Sequence, residues 1–433
     1  MPTVPVRLLA GLAARVLRHY QPFVVGITGS VGKTSARTAT VSVLAAGGLR
    51  VRGSPKNYNN ELGLPLSVIG ATSAPGRSPV AWALVYLRAL RLLLVHDSSY
   101  PTHLVLEYGA DHPGDIGALV HIAPPKISVV TAVAPAHLEF FGSVSAVAAE
   151  KGTLIEALPP DGVAVLNADD PVASTLATGR SARVITYGFA PTAMVRAHDA
   201  HLALNSTHDP LGVRWHLTHG SDVAEFVTTD TLGHAAVSSA LAGAAVGVAL
   251  GINFQSITRA LTEWHPPAGR MRLLAGIGGS VLLDDSYNSS PVAAHEAINT
   301  LAELRMSIPA PRRATVVLGT MAELGSEADR FHRELGVTVA AINPDRLVTV
   351  GKPAAAIADG AVEAGLPPDR IKRFDSAGDA ARWLRSRVVS GDIVLVKGSQ
   401  SARCERISAA LLAHPEDAKR LLVRQGSDWQ DRP

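Results

Sequence analysis

Cysteine is almost absent. Cys404 stands alone in 433 residues, so the chain can form neither an internal disulfide nor a multi-cysteine metal site. That suits a reducing compartment, with the cytoplasm as the simplest location. Aromatic residues are also scarce, at 5%, and no run of Lys/Arg interleaves with them. Forty basic residues against 37 acidic ones leave a formal charge of +3. This is a slight excess rather than a basic patch, and it argues against nucleic acid as the main partner. A chain that is 47% hydrophobic and 18% charged has the balance of a globular protein, and its length calls for two or three domains.

Long uncharged runs are few. The N-terminal stretch 1–22 has spaced arginines and apolar residues, with no small-residue cleavage site after an unbroken apolar core. It therefore reads as an amphipathic helix rather than a signal peptide. Ala235–Ile252 is uncharged and about long enough to span a membrane. It consists mostly of Ala, Gly, Ser and Val, however, and the Gly243 and Gly247 spacing fits a helix packed tightly inside a soluble domain. Val80–Val95 is rich in Leu and Val but carries Arg88 and Arg91. It reads as a packed or partner-binding helix, and contact with a membrane surface stays open.

What is present centres on residues 24–35. An apolar run containing Val24, Val25 and Ile27 leads into Thr28, Gly29, Ser30, Val31, Gly32, Lys33, Thr34 and Ser35, after which Ala36–Leu44 can continue as a helix. This is the strand, glycine loop and helix of a nucleoside-triphosphate site. The glycines let backbone N–H groups face phosphate oxygens, Lys33 adds positive charge near the outer phosphates, and the Thr34 hydroxyl can ligate Mg²⁺. The general GxxxxGK[ST] pattern expects glycine where Ile27 stands, so the match is to the GKT core in its strand–helix context.

Downstream, Asn57, Asn59 and Asn60 lie in an amide-rich loop before Leu64–Ile69 and become substrate-contact candidates beside a phosphate loop. His103–Glu107 reads as a short buried strand ending in a carboxylate. Such an acid is as readily solvated as metal-bound, but the loop upstream favours Mg²⁺. Ile127–Ala132 forms another strand leading to His137, Lys151 follows on a helix through Val144–Leu158, and Val163–Asn167 is one more strand. From Val281 onward, strands at Val281–Asp284, Ala314–Leu318, Arg346–Val350 and Ile393–Val396 alternate with helices around Pro291–Leu304, Ala328–Ile342 and Ala377–Val388. That alternation predicts a second α/β unit with a parallel sheet, and Trp264–Gly269 forms a natural hinge before it.

The succession GITGSVGKTS, NYNNELGLPLS, LEYGADHPGDI, TAVAPAHLEFFGS, EKG and VLNADDP resembles the central domain of the Mur ligase family. The segments Gly269-Arg270-Met271, Asp284–Asn288, Leu318–Gly325 with His332, and Val396–Ser399 resemble its C-terminal domain. Within the family the similarity is strongest to the MurF-type branch, which adds D-alanyl-D-alanine to UDP-muramoyl tripeptide. The implied fold is α/β: a phosphate-loop central domain with a mostly parallel sheet, followed by a C-terminal Rossmann-like α/β domain. The implied division is an N-terminal segment 1–22, a central domain 23–267 with an insertion at 71–103, and a C-terminal domain 268–433.

The resemblance also implies chemistry. A carboxylate attacks the γ-phosphate of ATP to give an acyl phosphate, and an amine then displaces phosphate. Residues 28–35 with Arg270, Asp285 and Asn288 would hold the nucleotide. Thr34 and Glu107 would hold one Mg²⁺. His137 and Lys151 would serve a second ion, with Lys151 as a carbamate. Lys33, His137 and Lys151 are the expected catalytic groups, and Asn57, Asn59, Asn60, Lys397 and Ser399 the expected contacts to small peptide-precursor, amino-acid or dipeptide substrates.

Two departures bear on the substrate. Residues 1–22 are too few to build the family's N-terminal UDP-binding domain. The family's Gly-x-His-Asn-x-x-Asn segment appears as Gly233–Ser239, with both asparagines lost at Ala236 and Ser239. Alternatives to peptidoglycan synthesis are therefore an amide ligase acting on a substrate without UDP, as poly-glutamate and cyanophycin synthetases do, or a regulatory phosphate-loop NTPase.

Overall fold

The computed structural model describes residues 4–55, 58–72, 74–76, 78–207, 209–308, 312–426 and 429. Nine strands form one sheet: β1 (Phe23–Thr28), β2 (Val51–Gly53), β3 (His103–Glu107), β4 (Ile127–Val130), β5 (Val163–Asn167), β6 (Arg183–Gly188), β7 (Val195–Leu204), β8 (Pro210–His219) and β9 (Asp222–Thr229). Their order is β2-β3-β1-β4-β5-β6-β7-β8-β9. The strands from β2 through β7 run parallel, whereas β7, β8 and β9 form an antiparallel meander. The central strands are apolar and buried along almost their whole length, as a parallel sheet covered on both faces requires.

One face is covered by α1 (Val4–Tyr20), followed in chain order after α2 (Lys33–Ala46) by α3 (Gly63–Ile69), α4 (Pro79–Leu94), α5 (Asp115–Ile122), the short α6 (Leu138–Phe141) and α7 (Val144–Glu156). The opposite face carries α2, α8 (His234–Ala249) and α9 (Phe254–Glu263). The apolar run at 235–252 is thus a buried core helix, and no described helix is long and apolar enough to cross a membrane. A Cβ on Gly243 would meet the Ala39 backbone at 2.8 Å, and one on Gly247 would meet Val43 at 2.6 Å, so α2 and α8 cross at close range.

The second sheet comprises β10 (Arg272–Ala275), β11 (Val281–Asp285), β12 (Ala314–Gly319), β13 (Arg346–Val350), β14 (Ile371–Phe374) and β15 (Ile393–Lys397), ordered β10-β11-β15-β12-β13-β14. Only β10 runs antiparallel. Helices α10 (Pro291–Ser307), α11 (Ala328–Ala341), α12 (Ala355–Glu363), α13 (Ala377–Arg385) and α14 (Glu405–Leu411) pack around it.

The meander at 195–229 has no counterpart in the sequence reading. Its strands alternate buried and exposed residues and contain many His, Thr and Asp side chains, so they lack the continuous apolar runs that mark β1, β3 and β4.

Candidate active site

Strand β1 delivers the phosphate loop to the carboxyl edge of the sheet, where α/β proteins bind ligands. Gly29 has φ +147°, and a Cβ there would lie 1.9 Å from Thr131 Oγ1; no other residue fits without rebuilding the loop. Gly32, at φ +85°, opens α2 in the left-handed region. The loop is fixed from the neighbouring strand. The Ser30 amide donates to Ala132 O at 2.8 Å, Ser30 Oγ donates to Ala134 O at 2.9 Å, and Thr131 Oγ1 donates to Val31 O at 2.5 Å. Thr28 is buried beneath the loop, where its hydroxyl donates to Tyr108 O at 2.8 Å.

Lys33 folds back over the loop and donates to Gly29 O at 2.5 Å. Burial pulls its pKa below the usual lysine value. Glu107 opposes that shift and the Arg270 guanidinium adds to it. The register sets Ile27 beside Glu107, which brings the end of β3 next to the start of α2. Arg37 Nε lies 2.7 Å from Glu107 Oε1, and Thr34 Oγ1 lies 3.3 Å from Oε2. One carboxylate oxygen is neutralised while the other shares space with a hydroxyl, a pair of hard oxygen donors suited to Mg²⁺.

His137, in the left-handed region at φ +53°, sits where α6 begins. Its Nδ1 is 2.6 Å from Glu323 Oε2 and 3.7 Å from Asp111 Oδ1. Since Glu323 follows β12, this contact joins the two sheets' units. Lys151 on α7 is 4% exposed, and among the described residues it has no ion-pair partner. Burial, reinforced by the Lys33 charge, lowers its pKa to about 7. The adjacent Glu150 is engaged elsewhere, accepting from the Gly114 and Ile116 amides at 2.7 Å at the start of α5.

The second unit closes the site. The Arg270 guanidinium stacks over the Tyr287 ring at 3.9 Å. Lys397, buried at the end of β15, donates to Asp285 Oδ2 at 2.6 Å and to Asn288 O at 3.0 Å. Ser399 Oγ accepts from the Ala322 amide at 2.9 Å and donates to Ser289 O at 3.2 Å.

A cleft of about 1390 Å³ runs between the two units. It is lined by Ser30–Ser35, Asn59, Glu107, His137, Arg270, Asp285, Asn288, Lys397 and Ser399. Thr28, Gly29 and Lys151 are not among the residues that line it. Asn60 is not in the lining: its Oδ1 accepts from the Gly63 amide at 2.9 Å, at the start of α3. Asn57 lies outside the described residues. Ala236 and Ser239 do line the cleft, so the lost amides fall within it.

The cleft also contains Asp111, Asp170, Glu296 and Glu323, to which sequence reasoning gave no role. Asp111, Asp170 and Glu323 sit inside the quoted motifs, where the signal was available. Asp170 Oδ2 accepts from the Val133 amide at 2.7 Å and so braces the strand end beside the phosphate loop. Glu296, on α10, had no sequence signal.

Residues 87–247 match the Mur ligase middle domain, and residues 269–400 match the Mur ligase glutamate ligase domain. The chain is 34% identical over 405 residues to the UDP-N-acetylmuramoyl-tripeptide–D-alanyl-D-alanine ligase of Mycobacterium tuberculosis, covering 90% of this chain and 73% of that protein. It is 29% identical over 410 residues to the Escherichia coli ligase of the same name, covering 92% and 79%. Among solved structures it resembles the Thermotoga maritima MurF ligase in complex with ADP, at 25% identity and a TM-score of 0.73 over 96% of this chain and 84% of that one. By the matched domains, the identity and its extent, this chain belongs to the Mur ligase family.

Proposed function

We propose that the protein is a MurF-type ligase, joining the terminal carboxylate of a UDP-muramoyl tripeptide to the amine of D-alanyl-D-alanine with hydrolysis of ATP to ADP and phosphate, as a step of peptidoglycan synthesis. The observation that carries this reading is the convergence, in one cleft, of a phosphate loop with Glu107 and His137 from one unit and Arg270, Asp285 and Lys397 from the other. ATP occupies the boundary between a central domain 23–267 and a C-terminal domain 268–433.

The loop amides and Lys33 bind the β- and γ-phosphates, and Arg270 approaches the same charge from the opposite side. Thr34 and Glu107 would hold Mg²⁺, which would offset charge on the phosphoryl oxygens. The substrate carboxylate attacks the γ-phosphorus and ADP leaves. The amine then attacks the acyl carbon, the C–N bond forms, and phosphate departs with the acyl oxygen.

Lys151 is suited to carbamylation. A buried lysine with a pKa of about 7 is about half uncharged at neutral pH, so its nitrogen can attack CO₂, lose a proton and become an anionic oxygen donor that, with His137, would serve a second ion. A lowered pKa and no ion pair among the described residues support this role over a structural salt bridge.

The test is phosphate release from ATP with UDP-muramoyl tripeptide and D-alanyl-D-alanine together, against each alone. Release that requires both is the expected result. Release independent of either points to a regulatory NTPase. Release that requires an amine and a different carboxylate keeps amide ligation but changes the substrate.

A further inference from the structure

Helix α4 has one face that nothing among the described residues covers. Val85, Ala89 and Leu92 turn into the core, while Val80, Leu84, Leu87 and Leu94 recur on the opposite side with the helical period. Leu94 is 82% exposed and Val80 70%, which is extreme for large aliphatic residues on a folded domain. The helix is 16 residues long, so the stripe extends for about 24 Å. Trp82 and Tyr86, with rings stacked at 5.7 Å, flank it half-buried. The Tyr86 hydroxyl donates to Pro5 O at 2.8 Å, fastening α4 against α1.

The two helices themselves carry charge of one sign. Residues 4–20 and 78–96 contain Arg7, Arg15, Arg18, Arg88 and Arg91 and no Asp or Glu, and all five arginines are exposed. Arg91 falls between Leu87 and Leu94 on the same face, where its stem can lie along apolar surface with the guanidinium at the rim. The first acid beyond the helix is Asp97, whose carboxylate accepts from the Ser99 hydroxyl and amide.

We infer that α4, with α1 beside it, docks this protein in the plane of an anionic lipid surface. Aliphatic side chains, half-buried Trp and Tyr, and cations without acids are the combination that an interface of acyl chains and negative headgroups accepts. A second copy is the competing occupant, and a two-fold contact centred near Arg91 would bring like charges together. The segment is too short to cross the bilayer, so it lies on the surface.

The test uses the full chain in vesicle flotation, comparing phosphatidylcholine alone with phosphatidylcholine containing phosphatidylglycerol. Wild type is expected to float with the anionic vesicles and to be released by raised salt. The double variant Leu84→Glu/Leu87→Glu and the double variant Arg15→Glu/Arg91→Glu should each lower the bound fraction at least about tenfold. Both alter exposed side chains, so melting curves should match wild type. Absence of wild-type binding at low salt, or binding that the glutamate variants leave unchanged, overturns the inference. A soluble dimer that Leu84→Glu/Leu87→Glu dissolves, without vesicle binding, overturns it too and assigns the face to a second copy.

Discussion

Arg37 Nε meets Glu107 Oε1 at 2.7 Å in a nearly water-free setting, with Glu107 only 1% exposed. The pair leaves Oε2 turned toward the Thr34 hydroxyl, so a single side chain anchors the fold through one oxygen and faces the phosphate site through the other. The two roles separate by substitution. Glu107→Gln keeps the shape and removes the charge, and should lower ATP-dependent ligation by roughly 100-fold or more. Glu107→Ala also strands the Arg37 charge, at a cost of about 3–5 kcal/mol. Steady-state rates and thermal melts on both variants would resolve this; a Gln variant with wild-type rates would remove the carboxylate from the chemistry.

Lys151 should take up labelled carbon. Protein equilibrated with ¹³C-bicarbonate is expected to give a carbamate carbon resonance that Lys151→Arg lacks, because the arginine stays protonated and cannot attack CO₂. The same substitution should reduce ligation by about two orders of magnitude and, because it buries a permanent charge with no ion-pair partner among the described residues, it should also lower the melting temperature. An unlabelled lysine at saturating bicarbonate would leave the residue as a plain amine.

Asp284 gives the stability a pH dependence of its own. It is fully buried next to Ser408, whose hydroxyl donates to Oδ1 at 2.6 Å, while Oδ2 has no hydrogen-bond partner among the described residues. Burial raises its pKa from 3.8 to about 6. A folded-state pKa above the unfolded one means that the protonated form supports folding below about pH 4, and that this support is lost as the pH rises through 6. Asp284→Asn should therefore stabilise the protein at pH 8, by up to roughly 3 kcal/mol, and the gain should vanish near pH 4. Denaturant melts at the two pH values measure it.

Gly29→Ala should abolish nucleotide binding and destabilise the fold by about 1–3 kcal/mol. The new methyl would overlap Thr131 Oγ1, and alanine does not tolerate this φ. Combining it with Thr131→Ala relieves the overlap but not the backbone strain, so calorimetric titration with ADP should show only partial recovery.

Much of this arrangement was legible in the chain. The central strands announced themselves because parallel strands covered on both faces are largely apolar, as the Leu104–Leu106 centre of β3 and three of the four residues of β4 are. The Gly243 and Gly247 spacing anticipated a close helix crossing, which α8 makes on α2. The loop residues were readable because local sequence dictates them. What stayed hidden depends on distant partners. Nothing near Lys397 announces that it pairs with Asp285, 112 residues earlier. Likewise, His137 meets Glu323 only because two sheets are juxtaposed. Asn60 looked like a substrate contact because amides serve both ligands and helix starts, and local sequence does not separate the two uses.

The close crossing of α2 and α8 has a mechanical consequence. The loop that begins α2 and the segment 233–239 that begins α8 both border the cleft, and their helices touch backbone to side chain without slack at Gly243 and Gly247. The two cleft edges are therefore tied through one tight packing contact, and neither helix can approach the other further without a backbone clash there.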